Sequence, residues 1–600
     1  VSEYFTNIVV CDFEYEVTDG DLPDVLCMVA YVLDENLQHV RTIRLWGGEF
    51  GLTPPFDIGE HSLFVAYNAQ AELTCFITLR WHFPKHVFDQ YTAYLCATNW
   101  LLPHDPDQER KKRERKRLPD ACCAYGVEGW ERIEKDTISK DIGEGRWHDH
   151  GRARVLEYCE EDVRASAELL RRQLHGTHRL ERAPVDDVIR WSEYSSKAVA
   201  RIQARGMPID MPLWNLIQEN KTAVTKAWLR QFDPSHDDEA PIYSPEGEWA
   251  YARFEAWLAR NDVVAWPRLP SGQLDTDGEA FRLMSYIPGV ESLHALRDAL
   301  RLVRGSPLPI GKDGRNRPIL FPFGTATGRN AHTKSVFNLH AGLRSFMVFP
   351  PEKIGVYLDW RAQEVGIAAA HSGDVGLKRA YTSGDVYHSF ALDAGLTTDP
   401  DPTHWKNDNT ELRQRMKALQ LGLNYGMGVP SLARGLNRHP WIASQLVDKH
   451  KRAYPQYWAW REQEVTRAML ARRIETAFGW PLRITTSPNV RTLYNFPMQG
   501  NGAEMLRLAA VRLCEAGLVP CMLIHDGILL EVDNQEQIET AQEIMRAAGR
   551  DVCDGLTIDV DVDQKLVGGA RYQDKRPVAK RMWDTMLGAL ETIGVRKCSA

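Results

Sequence analysis

Two aspartates, each set against short apolar runs, constrain this chain more than any other feature. Asp359 ends the run Ile354-Gly355-Val356-Tyr357-Leu358. Asp526 falls between Met522-Leu523-Ile524-His525 and Gly527-Ile528-Leu529-Leu530-Glu531-Val532. Runs of this length, bounded by turn residues, predict a strand and a tight hairpin. A fold that buries them in one sheet places a carboxylate at a strand end and another at the hairpin turn, so that the two meet across a sheet edge. Such a pair, with no covalent nucleophile nearby, suits two divalent cations and in-line phosphoryl transfer. Between them lie Arg413, Lys417, Leu421 and Tyr425, which recur every four residues and form one slowly drifting stripe on a helix. Its cationic N-terminal end suits a triphosphate. Alone, the stripe fits an ordinary amphipathic helix equally well.

At 600 residues the chain exceeds what one hydrophobic core usually supports, and three or more structural units are expected. No apolar stretch is long enough to span a bilayer. The start, Val1-Ser-Glu-Tyr, lacks the basic-then-apolar layout of a secretory signal. Eleven cysteines without CxxC pairs, several inside apolar runs, predict reduced buried thiols and a cytoplasmic setting. The net charge of −8 neither supports nor excludes a nucleic-acid partner. Metal sites add clustered carboxylates, and phosphate contacts need only a local basic groove. Arg110 to Arg117 holds seven basic residues in eight. It reads first as a solvated helix or loop and second as a DNA-strand contact.

In combination these segments read as a template-directed DNA polymerase, and the resemblance is to DNA polymerases of family A, over roughly residues 320–575. Leu358-Asp359-Trp360-Arg361-Ala362-Gln363-Glu364-Val365 resembles the family's first motif. The second matches at Arg413, Lys417, Tyr425 and Gly426 but carries Leu421 where an aromatic residue is usual. The third matches at His525-Asp526, with Gly527 in place of the usual acidic residue. Thr327-Gly328-Arg329 resembles the primer-contacting element. Arg491, Asn495 and Gln499 resemble residues that read the duplex near the active site, although alone they fit a generic polar helix.

The resemblance implies that Asp359, Asp526 and the carbonyl of Trp360 hold magnesium, replaceable by manganese, with two ions per active site. Arg413 and Lys417 would neutralise the triphosphate, and Lys417 would protonate the leaving group. Leu421, Tyr425 and His525 would line the nucleotide. Glu364, partnered by Tyr425, would crowd the sugar 2′ position and reject ribonucleotides. The implied fold is multidomain α/β and α+β. It comprises an RNase H-like exonuclease domain over 1–180, a connector and thumb over 181–305, palm segments over 306–400 and 476–600, and fingers over 401–475. The last segment is expected to hold a helix over Gly500–Ala516 and a final amphipathic helix over 578–594.

Asp12-Phe13-Glu14 sits at the end of a predicted strand, where residues two apart share a face and chelate one metal. Tyr158 and Asp162 fall on one face of a helix predicted from about Arg152 to Gln173. This order resembles 3′→5′ proofreading exonucleases of the Asp-Glu-Asp-Asp class with a tyrosine base. That resemblance implies that Tyr158 orients the attacking water while Asp12, Glu14, Glu72 and Asp162 hold two metals. Asn68-Ala-Gln-Ala-Glu72 departs from the pattern, with Glu where Asp is usual, and Asp89 follows as a secondary structural carboxylate. Taken alone, Asp12-x-Glu14 reads more readily as an exposed strand end than as a metal site.

The expected partners are primer-template DNA, dNTPs and a single-stranded 3′ end, with a monomeric chain, accessory replication proteins and no membrane. A chain beginning directly with proofreading resembles bacteriophage members of the family, which implies phage genome replication in a host cytoplasm. Three other readings stand beside this one. A stand-alone 3′→5′ nuclease predicts no incorporation of dNTPs. A non-catalytic DNA-binding or replisome component predicts binding without magnesium-dependent turnover. A single-subunit RNA polymerase is disfavoured by Glu364 at the sugar.

Overall fold

The computed structural model describes residues 4–99, 117–127, 132–178, 180–238, 240–263, 266–269, 271–305, 308–436, 438–484 and 489–595. All of the basic run except Arg117 lies outside the described residues.

Strands β1 (Asn7–Glu16), β2 (Asp24–Leu33), β3 (His39–Trp46), β4 (Ser62–Ala66) and β5 (His86–Asp89) form one sheet in the order β3-β2-β1-β4-β5. The pairs β1/β2 and β2/β3 are antiparallel, while β1/β4 and β4/β5 are parallel. Alternation along β1 sorts its side chains between two faces. Val9, Cys11 and Phe13 pack with Leu73 and Phe76 of helix α1 (Gln70–Thr78). Ile8 and Val10 pack with Val155 and Val163 of helix α3 (Arg152–His175), which follows helix α2 (Arg132–Gly143). Asp12 and Glu14 share the parity of Ile8 and Val10, so β1 turns both carboxylates toward α3. They lie within the strand, which runs on to Glu16, rather than at its end. The strand continues because Phe13 still has a core to fill.

The α3-side core extends through Val188 and Trp191 to Phe323 and Trp480. The Phe323 and Trp480 rings stack with centroids 3.7 Å apart, and Trp191 meets Trp480 edge-on at 5.1 Å. Burial of these large rings ties the first sheet to the rest of the chain. The Trp-rich stretch from Val185 onward is mostly helical, with Trp214, Trp228, Trp257 and Trp266 buried. The final amphipathic helix is present as Pro577–Thr592. It packs on helices Lys221–Phe232 and Val290–Arg304 of that stretch, where the Trp228 indole N–H donates to the Met582 carbonyl at 3.1 Å.

A second sheet carries both key aspartates. β6 (Ile354–Trp360), β7 (Met522–Ile524), β8 (Gly527–Val532) and β9 (Val560–Leu566) are ordered β7-β8-β6-β9, all antiparallel. The aspartates do not meet across a sheet edge. β6 and β8 are the two interior strands, in direct register from Ile354 opposite Val532 to Asp359 opposite Gly527. Burial on both faces puts the most apolar runs in the centre, and this brings Asp359 beside the turn that holds Asp526.

Three helices complete the site: α4 (Gln363–Ser372), α5 (Thr410–Asn424) and α6 (Val490–Glu515). The helix expected from Gly500 starts ten residues earlier. Asn489 caps it by accepting from the Arg491 N–H at 3.1 Å. Pro497 lies inside, at a cost of about 3 kcal/mol for an exposed helix interior. Burial of Leu493, Phe496 and Met498 offsets it.

Candidate active sites

One cleft of ≈ 1030 Å³ is lined by Asp359, Glu364, Arg413, Lys417, Leu421, Tyr425, His525, Asp526 and Arg329. The stripe on α5 thus faces the paired aspartates across open space. Tyr425 is the C-terminal cap of α5 rather than part of its body. His525 holds a left-handed φ of 55°, as a tight two-residue hairpin demands. The Trp360 N–H reaches the Asp526 carbonyl at 3.4 Å, while its indole is buried and donates to the Met545 carbonyl at 3.2 Å. Any role for Trp360 at the cleft therefore falls to its main chain.

Asp359 is pushed up to about 8, first by removal from water and then by Asp526 facing it. Its Oδ1 is buried without a hydrogen-bond partner among the described residues. An acidic oxygen left unsatisfied beside a second carboxylate fits a divalent cation, which would supply the missing positive charge. Asp561 and Asp563 of β9 line the same cleft, and Arg361 answers part of their charge by pairing with Asp561 through Nε at 3.0 Å. Sequence reasoning passed over this acidic strand. The alternating Asp559-Val560-Asp561-Val562-Asp563 was the available signal.

Glu364, in the first turn of α4, is buried at 9% exposure. Its Oε1 accepts from the Tyr425 hydroxyl at 3.1 Å, the partnership expected from sequence. It also accepts from Arg329 at 2.8 Å, which was not expected. Burial raises the Glu364 carboxyl, and the Arg329 guanidinium opposes the rise. Arg413 likewise has an unforeseen partner, an ion pair with Asp385 at 2.6 Å. Asp385 caps helix Val386–Asp393 and was legible only as a cap. Lys417, one turn on, is exposed, and Leu421 is half-buried. On α6, Arg491 is exposed, the Asn495 Oδ1 is buried without a partner among the described residues, and Gln499 accepts from the Thr327 hydroxyl at 3.3 Å. That bond joins the Thr-Gly-Arg element to the α6 trio.

The first sheet gathers a second acidic site. Donor atoms of Asp12, Glu14 and Cys159 lie within 4.8 Å of one another. Glu72 is 4% exposed, and its Oε2 is buried without a partner among the described residues. Burial raises its carboxyl and Asp12 adds to the rise. Glu14 is raised by burial, then by Asp12 and Asp162. Tyr158 is buried, its hydroxyl held well up by burial and then by Asp162, with Ser139 of α2 as a hydrogen-bond neighbour. All five residues expected at this site therefore converge. A buried cluster of carboxylates, with Glu14 and Glu72 both raised first by removal from water, fits cations as the aspartate cleft does. Cys159 was missed. Its thiol reaches Asp12 at 3.3 Å from the carbonyl and 3.5 Å from Oδ2. Asp89 acts structurally, accepting from the N–H groups of Asn68 and Tyr91 at 3.1 Å and from the Thr92 hydroxyl at 2.7 Å. The ten described cysteines are free thiols, nine of them buried, and no described helix is long and apolar enough to cross a membrane.

Residues 324–573 match the family model of DNA polymerase family A, a span that contains the whole aspartate cleft. Over this span, less than half of its length, the chain is similar to DNA polymerase family A. The chain is 24% identical to DNA polymerase I of Aquifex aeolicus over 399 residues, covering 61% of this chain and 64% of the relative. It is 26% identical to the thermostable DNA polymerase I of Thermus filiformis over 207 residues, 31% of this chain and 23% of the relative. It is 28% identical to DNA polymerase I of Mycobacterium tuberculosis over 280 residues, 42% of this chain and 30% of the relative. The chain thus spans less than two thirds of the length of these relatives. In fold it is similar to the POL domain of Pol1 from M. smegmatis, solved in complex with DNA primer-template and dNTP. That match has a TM-score of 0.66 and 18% identity over 95% of this chain and 96% of the other. The likeness of fold reaches beyond residues 324–573 into the first sheet.

Proposed function

We propose that this chain is a template-directed DNA polymerase that adds dNTPs to a primer 3′-hydroxyl, and that its first sheet carries a 3′→5′ exonuclease. The observation that carries the reading is the cleft itself, with Asp359 and Asp526 on one wall and Arg413, Lys417 and Tyr425 on the other.

Asp359, Asp526 and the Trp360 main chain would hold divalent cations, magnesium or manganese. These supply Lewis-acid stabilisation of the charge that develops at the transferred phosphate. The protein's own groups do the rest. Arg413 exchanges Asp385 for the triphosphate, and Lys417 adds the second positive charge and stands as proton donor to the departing pyrophosphate. Leu421 and Tyr425 bound the sugar and base. Glu364, gripped from two sides, closes the space a 2′-hydroxyl would need. Arg329, Arg491, Asn495 and Gln499 are the groups that would meet primer and template. In the first site, Asp12, Glu14, Glu72 and Asp162 would hold cations while Tyr158 orients water toward a frayed 3′ end.

The deciding experiment is primer extension with magnesium on matched and mismatched 3′ ends. Extension of the matched end and trimming of the mismatched one are expected, and absence of any dNTP incorporation would overturn the polymerase reading. At the sugar gate, Glu364→Ala is expected to raise ribonucleotide incorporation relative to deoxynucleotide on the order of 10²-fold. Competition kinetics with paired rNTP and dNTP reads this directly, and an unchanged ratio removes Glu364 from that role.

The raised Asp359 also sets a stability expectation. Its folded-state value of about 8 exceeds the ordinary aspartate range, so the metal-free folded protein binds the extra proton and loses stability as pH rises from about 4 through 8. Asp359→Asn removes that loss. In chelator at pH 8 and above the variant should be more stable by at least about 1 kcal/mol, with the difference gone below pH 4. Melting curves across pH test it, and a gain independent of pH contradicts it.

A further inference from the structure

Gly527 opens β8 directly after Asp526, and the fold shows what excludes a side chain there. A Cβ at 527 would lie 2.2 Å from the Tyr357 hydroxyl oxygen and 2.4 Å from its Cζ. The φ of Gly527 is not positive, so the constraint is space rather than backbone conformation. Tyr357 and Asp359 stand two apart on β6 and point to one face. Along β8 their partners are Leu529 and Gly527. Along β9 the register slips beside Tyr357: Leu358 opposes Val562 while Tyr357 opposes Gln564, leaving Asp563 as the extra residue. A bulge of this kind re-aims side chains next to an active site. The Tyr357 phenol donates to the carbonyl of Ile524 at 3.4 Å, one residue before the His525-Asp526 turn. It therefore spans from β6 to the base of the turn that presents Asp526.

We propose that Tyr357 is a positioning residue. Its ring fills the volume left by glycine at 527, and its hydroxyl braces the hairpin so that Asp526 stays beside Asp359 at the cation-binding edge of the cleft. A task that a side chain on β8 could serve is thus carried out from the neighbouring strand. The inference rests on the polymerase reading of this cleft.

The test is a magnesium titration of primer extension, with melting temperature measured alongside, for Tyr357→Phe, Tyr357→Ala, Gly527→Ala and the double variant Tyr357→Ala/Gly527→Ala. Tyr357→Ala should raise the half-saturating magnesium concentration about tenfold, with dNTP KM nearly unchanged and kcat largely recovered at saturating magnesium. Tyr357→Phe keeps the filler and loses one long hydrogen bond, so a shift of about threefold or less is expected. Gly527→Ala, forced against the phenol, should lose activity at least about tenfold and melt earlier. Removing the phenol in the double variant should restore both. An unshifted magnesium dependence in Tyr357→Ala, or a double variant no better than Gly527→Ala, overturns the proposal. Failure of the unmutated chain to extend a primer would instead strike the polymerase reading, and melting temperatures would still report whether the two positions share one volume.

Discussion

Replacing Asp526 with alanine is expected to lower primer extension at least about 10³-fold while primer-template binding changes only a few-fold. The same holds for Asp359→Ala. The two carboxylates occupy adjacent interior strands, and neither position has a second acidic side chain at the hairpin turn to replace it, since residue 527 is glycine. Removing one leaves a single crowded oxygen set where two were arranged to share positive charge. On the proposed reading, duplex binding would draw on other groups, among them Arg329, Arg491 and Gln499, which either substitution leaves in place. Single-turnover extension paired with an equilibrium binding measurement separates the two quantities. Normal extension by either variant would reject the cleft as the catalytic centre. A parallel collapse of DNA binding would reassign the aspartates to a structural role.

The second large effect concerns the first sheet. An Asp12→Ala/Glu14→Ala chain is expected to trim a mismatched 3′ end at least about 10²-fold more slowly while extending a matched primer normally. Both residues hang from β1 toward α3, and together they supply two of the three donors that approach within 4.8 Å. Loss of Asp12 removes one of the charges that raise Glu72, and loss of Glu14 removes a buried carboxyl, so the variant should fold at least as well as the parent in the absence of metal. A time course with a 3′-labelled mismatch, run with and without chelator, gives the rate. If the unmutated protein shows no metal-dependent trimming, the first sheet is a DNA-positioning unit and the five converging residues have another purpose. If trimming survives the double substitution, the nuclease site lies elsewhere.

Several features were open to sequence because they are local. Asp359 and Asp526 were identifiable by the runs that flank them, and a run of alternating or continuous apolar residues reports its own strand. The α5 stripe followed from a four-residue recurrence, and Tyr158 with Asp162 from the same rule on α3. Glu364 and Tyr425 were paired through the family resemblance, and the structure gives them a 3.1 Å bond. The start of α6 was placed late because Pro497 argues locally against a helix, although the spacing of Arg491, Asn495 and Gln499 fits one, and the burial of Leu493, Phe496 and Met498 against other parts of the chain overrules the proline.

What the chain encoded in single segments was therefore the set of charged groups: two acidic clusters, one cationic stripe and the Glu364 carboxylate. Their assembly needed tertiary contacts. Arg329 reaching Glu364, Asp385 holding Arg413, Cys159 lying against Asp12 and the Tyr357 phenol filling the space at Gly527 join residues with no spacing rule between them. Periodicity describes which face a side chain takes on its own element. Which foreign side chain waits on that face depends on how strands are ordered and where helices pack, and only the folded sheets decide that.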